Sequence, residues 1–171
     1  DDAYTPDGRH GMRPDYPSIV YSKILKQLFP DVPVVLGGIE ASLRRLTHYD
    51  YWEDKLKKCI LCESGADIIL YGMGEKNTLQ LCRELENGRS IKDVKDIPQT
   101  VYLAKKEDIP GGITDTDIVL HSHEECLRNK KAQAENFRHI EEESNKMHAQ
   151  RLIQGVDHQF AVVNPPYPPM T

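Results

Sequence analysis

The stretch Val32-Pro-Val-Val-Leu-Gly-Gly38 joins a short run of apolar, mostly β-branched residues directly to a pair of glycines. Such a run predicts a buried strand, and the glycines predict a tight turn at its carboxyl end. Helical spacing resumes between Glu40 and His48. This part of the chain therefore predicts a strand, a glycine turn and a helix in that order.

The same unit recurs further along the chain. Asp67-Ile-Ile-Leu-Tyr71 is a second branched run, and Gly72-Met-Gly-Glu75 leads from it into a second helical pattern. Trp52, Leu56 and Ile60 have helical spacing and predict a connecting helix over residues 51–61. Two strands joined by such a crossover lie parallel in one sheet. The sequence therefore predicts the α/β class, with a Rossmann-like parallel sheet layered with helices.

Further elements are expected on either side of these two units. A helix is predicted over residues 15–29, a long, mostly exposed C-terminal helix over 124–150 with a narrow apolar stripe, and a terminal hairpin around 155–157. The first helix should bury a stripe of four residues, namely Val20, Ile24, Leu25 and Leu28. The stripe of the long helix should consist of Leu127, Ala134, Phe137 and Ile140. We expect one α/β domain over residues 1–164, part of a larger N-terminal domain, and a proline-rich linker over 165–171.

Composition excludes several classes of protein. The 171 residues are 39% hydrophobic and 29% charged, which is typical of a globular domain. The net charge of −5 argues against a nucleic-acid partner or an anionic membrane surface, because both need a basic field. No apolar run approaches the roughly 18 residues of a membrane span. We therefore expect no nucleic-acid partner and no membrane insertion.

The cysteines and the chain ends suggest the cellular setting. Four cysteines without a secretory signal predict free thiols in a reducing, cytoplasmic environment. The sequence begins at Asp1, without a methionine or a signal-like segment, so both ends are expected to be domain boundaries within a longer protein.

The two glycine turns are the first candidate site. Ligands of open parallel sheets bind outside the carboxyl ends of the strands, where glycine lets the backbone approach and helix N-termini offer free N–H groups. The candidates are Gly37, Gly38 and Glu40 in the first turn and Gly72, Gly74 and Glu75 in the second. Added side chains at Gly37 and Gly74 are expected to be strained. Neither turn matches a phosphate-binding motif, so ordinary loop roles remain an alternative.

A second candidate directly follows the first turn. Arg44, Arg45, His48 and Tyr49 combine two guanidinium groups, an imidazole and a phenol, a combination that suits recognition of an anion or a ring. We expect these four residues to form one functional surface. The alternative is a corner between two helices in which the charged groups face water.

The sequence offers no metal or hydrolase site. Cys59 and Cys62 have the spacing of a redox or zinc pair, but they fall at the end of the predicted helix 51–61, where the dipole does not lower a thiol pKa. We therefore interpret them as structural thiols. There is no second metal-ligand pair with matching spacing and no G-x-S-x-G elbow, so no catalytic residue is assigned.

Six ordered strings together carry a family resemblance over essentially the whole chain. They are Asp2-Ala-Tyr-Thr-Pro-Asp-Gly8, Gly11-Met-Arg-Pro-Asp15, Val35-Leu-Gly-Gly-Ile-Glu-Ala-Ser-Leu-Arg-Arg45, His48-Tyr-Asp-Tyr-Trp52, Tyr71-Gly-Met-Gly-Glu75 and Val162-Val-Asn-Pro-Pro166. The chain resembles the YgiQ family of radical SAM proteins, whose members are described as uncharacterised Fe–S oxidoreductases. It is similar to the part of the N-terminal domain that precedes the radical SAM barrel, and its glycine turns resemble those of cobalamin-binding domains.

This resemblance implies a role for the longer protein rather than for the chain alone. It implies a [4Fe–4S] cluster and S-adenosylmethionine (SAM), held beyond Thr171 by a cysteine triplet whose spacing is absent here. The lower-ligand motif of cobalamin domains is also absent. We therefore expect an accessory domain without a cofactor or catalysis of its own, whose partners are the barrel and an unknown substrate. The alternatives are a module that binds a nucleotide-like or corrin-like ligand, and a purely structural domain.

Overall fold

The computed structural model describes residues 3–168, which form a central mixed sheet between helices. The helices are α1 (Pro17–Leu28), α2 (Gly38–Leu43), α3 (Ile60–Ser64), α4 (Glu75–Glu86), α5 (His123–Arg128) and α6 (Lys130–Ser144). The strands are β1 (Val35–Leu36), β2 (His48–Asp50), β3 (Lys55–Lys57), β4 (Ile68–Leu70), β5 (Thr100–Ala104), β6 (Ile118–Leu120), β7 (Leu152–Val156) and β8 (Gln159–Val163). No helix in the described part of the chain is long and apolar enough to cross a membrane.

The six-stranded sheet has the order β1-β4-β5-β8-β7-β6. The strands of the two glycine units, β1 and β4, pair in parallel, with Val35 opposite Ile68. The predicted parallel arrangement of these two strands and the predicted α/β class are therefore confirmed. The other parallel pair is β6 with β7, and the three remaining pairs are antiparallel. The predicted terminal hairpin is confirmed as β7 and β8.

Strand β4 shows how the layers are organised. Ile69 belongs to the apolar cluster that includes Ile60 and Leu61 of α3, whereas Ile68 and Leu70 belong to a second cluster with Leu81 of α4. Successive side chains of a strand point to opposite faces of the sheet. A strand whose three residues are all buried therefore requires cover on both faces, and here the two helices provide it.

Helix α1 is present where predicted, but the predicted buried stripe is wrong. Val20, Ile24, Leu25 and Leu28 are exposed, between 36% and 65%, and the buried residues of the helix are Ile19 and Ser22. The four predicted residues do share one apolar face of the helix, but this face is exposed. The periodicity did not predict that α3, rather than the sheet, lies against the opposite side of the helix.

The predicted helix over residues 51–61 is also wrong. Residues 48–57 form an antiparallel hairpin of β2 and β3, and Trp52 is 82% exposed in its turn. Asp50 Oδ1 accepts the backbone N–H of Glu53, and Asp54 has φ = 49°. Aspartate is among the few residues that adopt this left-handed conformation readily. These two local features close a turn that the spacing of apolar residues did not reveal.

Two predicted helices are shorter in the structure. The helix expected over 40–48 ends at Leu43, which is 70% exposed. The helix expected over 124–150 is divided at Asn129, which ends α5 and whose side chain accepts the Lys131 N–H at the start of α6. The stripe predicted for it is wrong for Leu127 and Phe137, which are exposed.

The hairpin moves the two cysteines to the other end of a helix. Cys59 directly precedes α3 and Cys62 lies in its first turn, where its N–H donates to Cys59 O over 2.9 Å. The predicted position at a helix C-terminus is therefore wrong. A hydrogen bond with Cys62, together with burial, raises the pKa of the Cys59 thiol, and the same bond lowers the pKa of Cys62.

This arrangement predicts an order of thiol reactivity. Cys62 is half-buried and Cys82 exposed, whereas Cys59 and Cys126 are each 1% exposed and have raised thiol pKa values. Because the thiolate is the nucleophile, iodoacetamide should modify Cys62 and Cys82 at least about tenfold faster than the other two. Peptide mass spectrometry over a time course measures the four rates. Equal rates at Cys59 and Cys62 would contradict the structure.

Candidate functional site

A cavity of about 680 Å³ lies at the carboxyl end of strand β4. Its walls come from α2, from the turn after β4, from the start of α4, from the end of α6 and from the segment that follows β8. The lining residues are Ser42, Arg45, Tyr71, Gly72, Met73, Glu75, Lys76, Gln99, Glu143, Ser144, Ala149, Gln150, Leu152, Val163, Asn164, Pro165, Pro166, Tyr167 and Pro168. We call this cavity the carboxyl-edge cleft.

Ser42 ties the two glycine turns together. Its Oγ donates to Gly38 O over 2.7 Å and accepts the N–H of Gly72 over 3.1 Å. Gly38 and Gly72 both have positive φ, 79° and 68°, in the region that favours glycine. The sequence located the turns but did not show that a serine hydroxyl connects them.

The positions at which an added side chain would be strained are not the two that the sequence indicated. Gly37 has φ = −150° and Gly74 has φ = −85°, both ordinary values, and an added Cβ would meet no atom closer than 3.6 Å at either position. At Gly72 an added Cβ would lie 3.0 Å from Gln99 Nε2. The positions that require glycine are therefore Gly38 and Gly72.

Arg45 lies in the wall of the cleft. Its Nη1 donates to Ser42 O over 2.5 Å, and its guanidinium carbon lies 5.0 Å from the centroid of the Tyr71 ring. Its Nε is buried without a hydrogen-bond partner, and no carboxylate among residues 3–168 lies within 4 Å of the guanidinium. Burial lowers the pKa of Arg45. The cleft wall therefore contains a cation without a carboxylate within 4 Å, although the charge of Glu141 acts on it from a greater distance.

Gln99 holds the floor of the cleft, and sequence reasoning missed it. Its Nε2 donates to Tyr71 O over 2.7 Å and to Met73 O over 2.6 Å, and its backbone N–H donates to Pro165 O over 2.8 Å. Its φ is 61°, which is uncommon for a residue other than glycine. A glutamine before a strand carries no sequence signal for this role.

Asn164 holds the opposite wall. Its Nδ2 donates to the carbonyl oxygens of Lys95 and Ile97 and to Thr100 Oγ1, over 2.9 to 3.0 Å. Its own carbonyl oxygen accepts the Tyr71 hydroxyl over 2.6 Å, and burial raises the pKa of Tyr71. Asn164 belongs to one of the six strings that carried the family resemblance, and that was the one signal that could have found it.

The N-terminus of α4 opens onto the cleft. Gly74 precedes the helix and no side chain caps it, while Glu75 and Lys76 of its first turn line the cavity. Asn77 is fully buried and donates to Gln99 O over 2.8 Å, which fixes the helix against the floor. The partial positive charge of a helix N-terminus is therefore directed toward the cleft.

Arg44 points away from the cleft into a separate charged cluster. Its guanidinium lies 3.5 Å from Glu40, 3.9 Å from Asp50 and 5.6 Å from the centroid of the Tyr16 ring. Tyr16 donates to Asp50 Oδ1, and the backbone N–H of Glu53 lowers the pKa of this buried carboxyl. Glu40 accepts a hydrogen bond from Ser18 as well as pairing with Arg44, so both predicted residues hold α1 against α2.

His48 and Tyr49 lie in the hairpin. His48 Nδ1 is 3.1 Å from Leu46 O, and burial lowers the pKa of this imidazole. Tyr49 is 57% exposed and donates to Asp54 over 2.6 Å. Of the four residues predicted to form one functional surface, the structure places Arg45 in the cleft wall, whereas Arg44 faces the charged cluster and His48 and Tyr49 lie in the hairpin.

The side chains that the structure describes do not form a site for a cluster or a metal ion. Within residues 3–168, no group of three or more His, Cys, Asp or Glu side chains is arranged to hold one. Cys59 and Cys62 form a pair, whereas Cys82 and Cys126 lie on α4 and α5. No chemical step is therefore derived through an iron–sulfur centre in this chain.

The glycine assignment yields a stability prediction. Gly72→Ala should destabilise the fold by about 1–2 kcal/mol, because alanine is strained at positive φ and its Cβ would press on the Gln99 amide. Gly37→Ala is the matched control and should stay within about 0.5 kcal/mol of the parent. Urea unfolding measures both. Equal losses would show that the turn after β4 is not strained.

The two neighbouring arginines should differ in their contribution to stability. Arg44→Met leaves the buried Asp50 carboxylate without its guanidinium partner and should cost about 2 kcal/mol. Arg45→Met removes a cation that has no carboxylate partner and should cost less than about 1 kcal/mol. Thermal or urea unfolding measures the difference, and a larger loss for Arg45→Met would contradict the assigned roles.

Comparison with known proteins is consistent with the resemblance seen in the sequence. All of residues 1–171 match the family described as Radical SAM N-terminal. The chain is 58% identical to a UPF0313 protein of Bacteroides thetaiotaomicron, over all of this chain and 29% of that protein. It is 56% identical to one of Porphyromonas gingivalis and 42% to one of Geobacter sulfurreducens, covering 27% and 28% of them. No solved structure matches the chain. The chain thus spans under a third of these relatives, and it belongs to the radical SAM N-terminal family.

Proposed function

We propose that the chain is the accessory N-terminal domain of a radical SAM enzyme and that its carboxyl-edge cleft faces the part of the polypeptide that carries the cluster and SAM. The family supports the class, and the coverage of 27–29% of the relatives supports a longer protein. In this proposal, the [4Fe–4S] cluster and SAM belong to that longer protein. The cytoplasmic location remains a prediction, and no substrate is assigned.

The observation that supports the proposal is that residues 165–168, the last that the structure describes, form part of the cleft wall. Residues 165–168 line the cleft, with Pro165 O bound by the Gln99 N–H and the Tyr167 hydroxyl donating to Gln80 over 2.9 Å. The segment predicted as a linker over 165–171 therefore packs against the domain as far as Pro168, and residues 169–171 lie outside the described part. Any chain that continues from this wall leaves the domain beside the cleft.

The apolar face of α1 supports a second contact with the longer protein. Ile24, Leu25, Leu28 and Phe29 are between 43% and 65% exposed along one side of the helix. Contiguous apolar surface of this kind is typical of a protein interface. In the proposed function, the rest of the same polypeptide covers this face, while the cleft on α2 and α4 stays open toward the substrate.

A second candidate function is a ligand-binding module without catalysis. The volume of the cleft and the unneutralised Arg45 favour it, because both are features of a binding site. The two functions are compatible, since an accessory domain can bind the ligand that the rest of the enzyme transforms. A purely structural domain is the least favoured, because such a domain does not require a cation beside an open cavity.

The test uses the longer polypeptide. After anaerobic reconstitution with iron and sulfide and reduction by dithionite, it should cleave SAM to 5′-deoxyadenosine, measured by liquid chromatography. The 171-residue chain treated identically should form none, since its described residues offer no cluster site. Absence of product from a longer polypeptide with a full cluster, or product from the chain alone, would overturn the proposal.

A matched pair of variants tests the role of the cleft. Arg45→Ala in the longer polypeptide should change the rate of 5′-deoxyadenosine formation at least about threefold at unchanged cluster content, a difference of about 0.7 kcal/mol in the barrier. Arg138→Ala removes the same charge from an exposed site on α6 and should leave the rate unchanged. Equal rates for both variants and the parent would show that the cleft does not face the reaction.

A further inference from the structure

We propose that the carboxyl-edge cleft binds a small organic anion, whose carboxylate or phosphate head meets Arg45 and the N-terminus of α4 and whose apolar body lies against Tyr71 and the proline wall. This inference rests on the proposed function for the location of the cleft and adds the chemical class of the ligand.

Arg45 is the first reason for a negative head. Its side chain lines the cavity, its Nη1 donates to Ser42 O, and no carboxylate among residues 3–168 lies within 4 Å of the guanidinium. A guanidinium without a carboxylate partner at the wall of a cavity favours a carboxylate or phosphate ligand, because such a head would supply the missing opposite charge. Arg44 differs in its carboxylate partners: its Nη1 also lacks a hydrogen bond, but its guanidinium lies 3.5 Å from Glu40 and 3.9 Å from Asp50.

The start of α4 is the second reason. This helix has 12 residues and no side-chain cap, and its first turn lines the same cavity as Arg45. Free N–H groups at such a helix start bind anions together with a nearby cation. Gly72 also contributes, because a side chain there would press on the floor of the cleft.

The carboxylates of the cleft do not compensate these positive groups. Glu143 is 3% exposed, but Oε1 pairs with Lys146 and Oε2 accepts the Gln150 N–H over 2.6 Å. Glu75 is exposed at the helix start, a position where a carboxylate favours the dipole. Arg45 and Lys76 therefore remain available to a ligand, and a cationic ligand would face both.

The remaining wall determines the body of the ligand. Leu152, Val163 and the prolines at 165, 166 and 168 are apolar, and Tyr71 offers a ring face beside the guanidinium. Binding pockets of this size are usually apolar with a few convergent polar groups. A flat or aliphatic body attached to a single anionic head matches this distribution, whereas inorganic phosphate alone would leave most of the cleft unfilled.

The experiment compares two probes that share one body. The probes are 8-anilinonaphthalene-1-sulfonate and N-phenyl-1-naphthylamine, which lacks the sulfonate. Fluorescence titration of the 171-residue chain should give a single site that binds the sulfonate probe at least tenfold more tightly than the neutral one. In ¹H–¹⁵N spectra, the shifts should be concentrated at the Gly72 and Lys76 amides. Shifts confined to Ile24 and Leu28 would place the probe on α1 and overturn the inference.

Variants of Arg45 test whether its guanidinium binds the sulfonate group. Arg45→Ala should weaken the sulfonate probe at least tenfold and the neutral probe less than twofold, Arg45→Lys should lie between, and Arg138→Ala should match the parent. Thermal melts confirm that each variant is folded. Unchanged affinity of the sulfonate probe in folded Arg45→Ala, or an equal loss for both probes, would overturn the inference.

Competition distinguishes the two head groups. Octanoate and octyl phosphate are titrated against the bound sulfonate probe, and the stronger competitor identifies the preferred head; failure of both to displace it would overturn the inference. Because these measurements need neither SAM nor a cluster, they can fail while the longer polypeptide still cleaves SAM. If the probes bind as expected but the longer polypeptide with a full cluster does not cleave SAM, the accessory role is overturned and the ligand class is retained.

Discussion

Gln99 is the residue on whose contacts the cleft depends. One residue in a left-handed conformation holds the turn after β4 through two hydrogen bonds, the first turn of α4 through Asn77, and the final segment through Pro165. A non-glycine residue at φ = 61° is strained, and such strain persists only where the surroundings impose it. The surroundings here are residues 71–77 and the segment after β8, which are distant from each other in sequence and both bind Gln99.

The second organising feature is the separation of two adjacent guanidinium groups. Arg44 ends α2 and turns toward Asp50, so its charge stabilises the packing of α1 against α2 and the hairpin. Arg45, one residue later, turns toward Tyr71 and remains without a carboxylate partner. A fold that needed only solubility would expose both cations to water. Both side chains are partly buried, but only Arg45 lies in the wall of the cleft, which is why the ligand proposal rests on it.

The sequence interpretation erred at two places where the spacing of apolar residues does not determine the structure. In residues 51–61 the apolar spacing fits a helix, yet the chain forms a hairpin because Asp50 and Asp54 stabilise a turn locally. In α1 the apolar face is real, but tertiary packing buries the opposite side. Periodicity reports which residues share a face and not what lies against that face. Because the sequence did not reveal the hairpin, Cys59 and Cys62 were expected at the end of a helix, whereas they lie at the start of α3.

The sequence by itself determined the α/β class, the parallel pairing of the first two strands, the terminal hairpin, and the edge where the cleft lies. These follow from local patterns: branched runs, glycine turns and short connections. Tertiary structure alone decided that Arg45 and not Arg44 faces the cleft, that Gly38 and Gly72 rather than Gly37 and Gly74 require glycine, and that Ser42, Gln99 and Asn164 build the walls. These properties depend on contacts between residues up to 93 positions apart, such as the bond from Tyr71 to Asn164, and no local pattern encodes the direction of a side chain across such a distance.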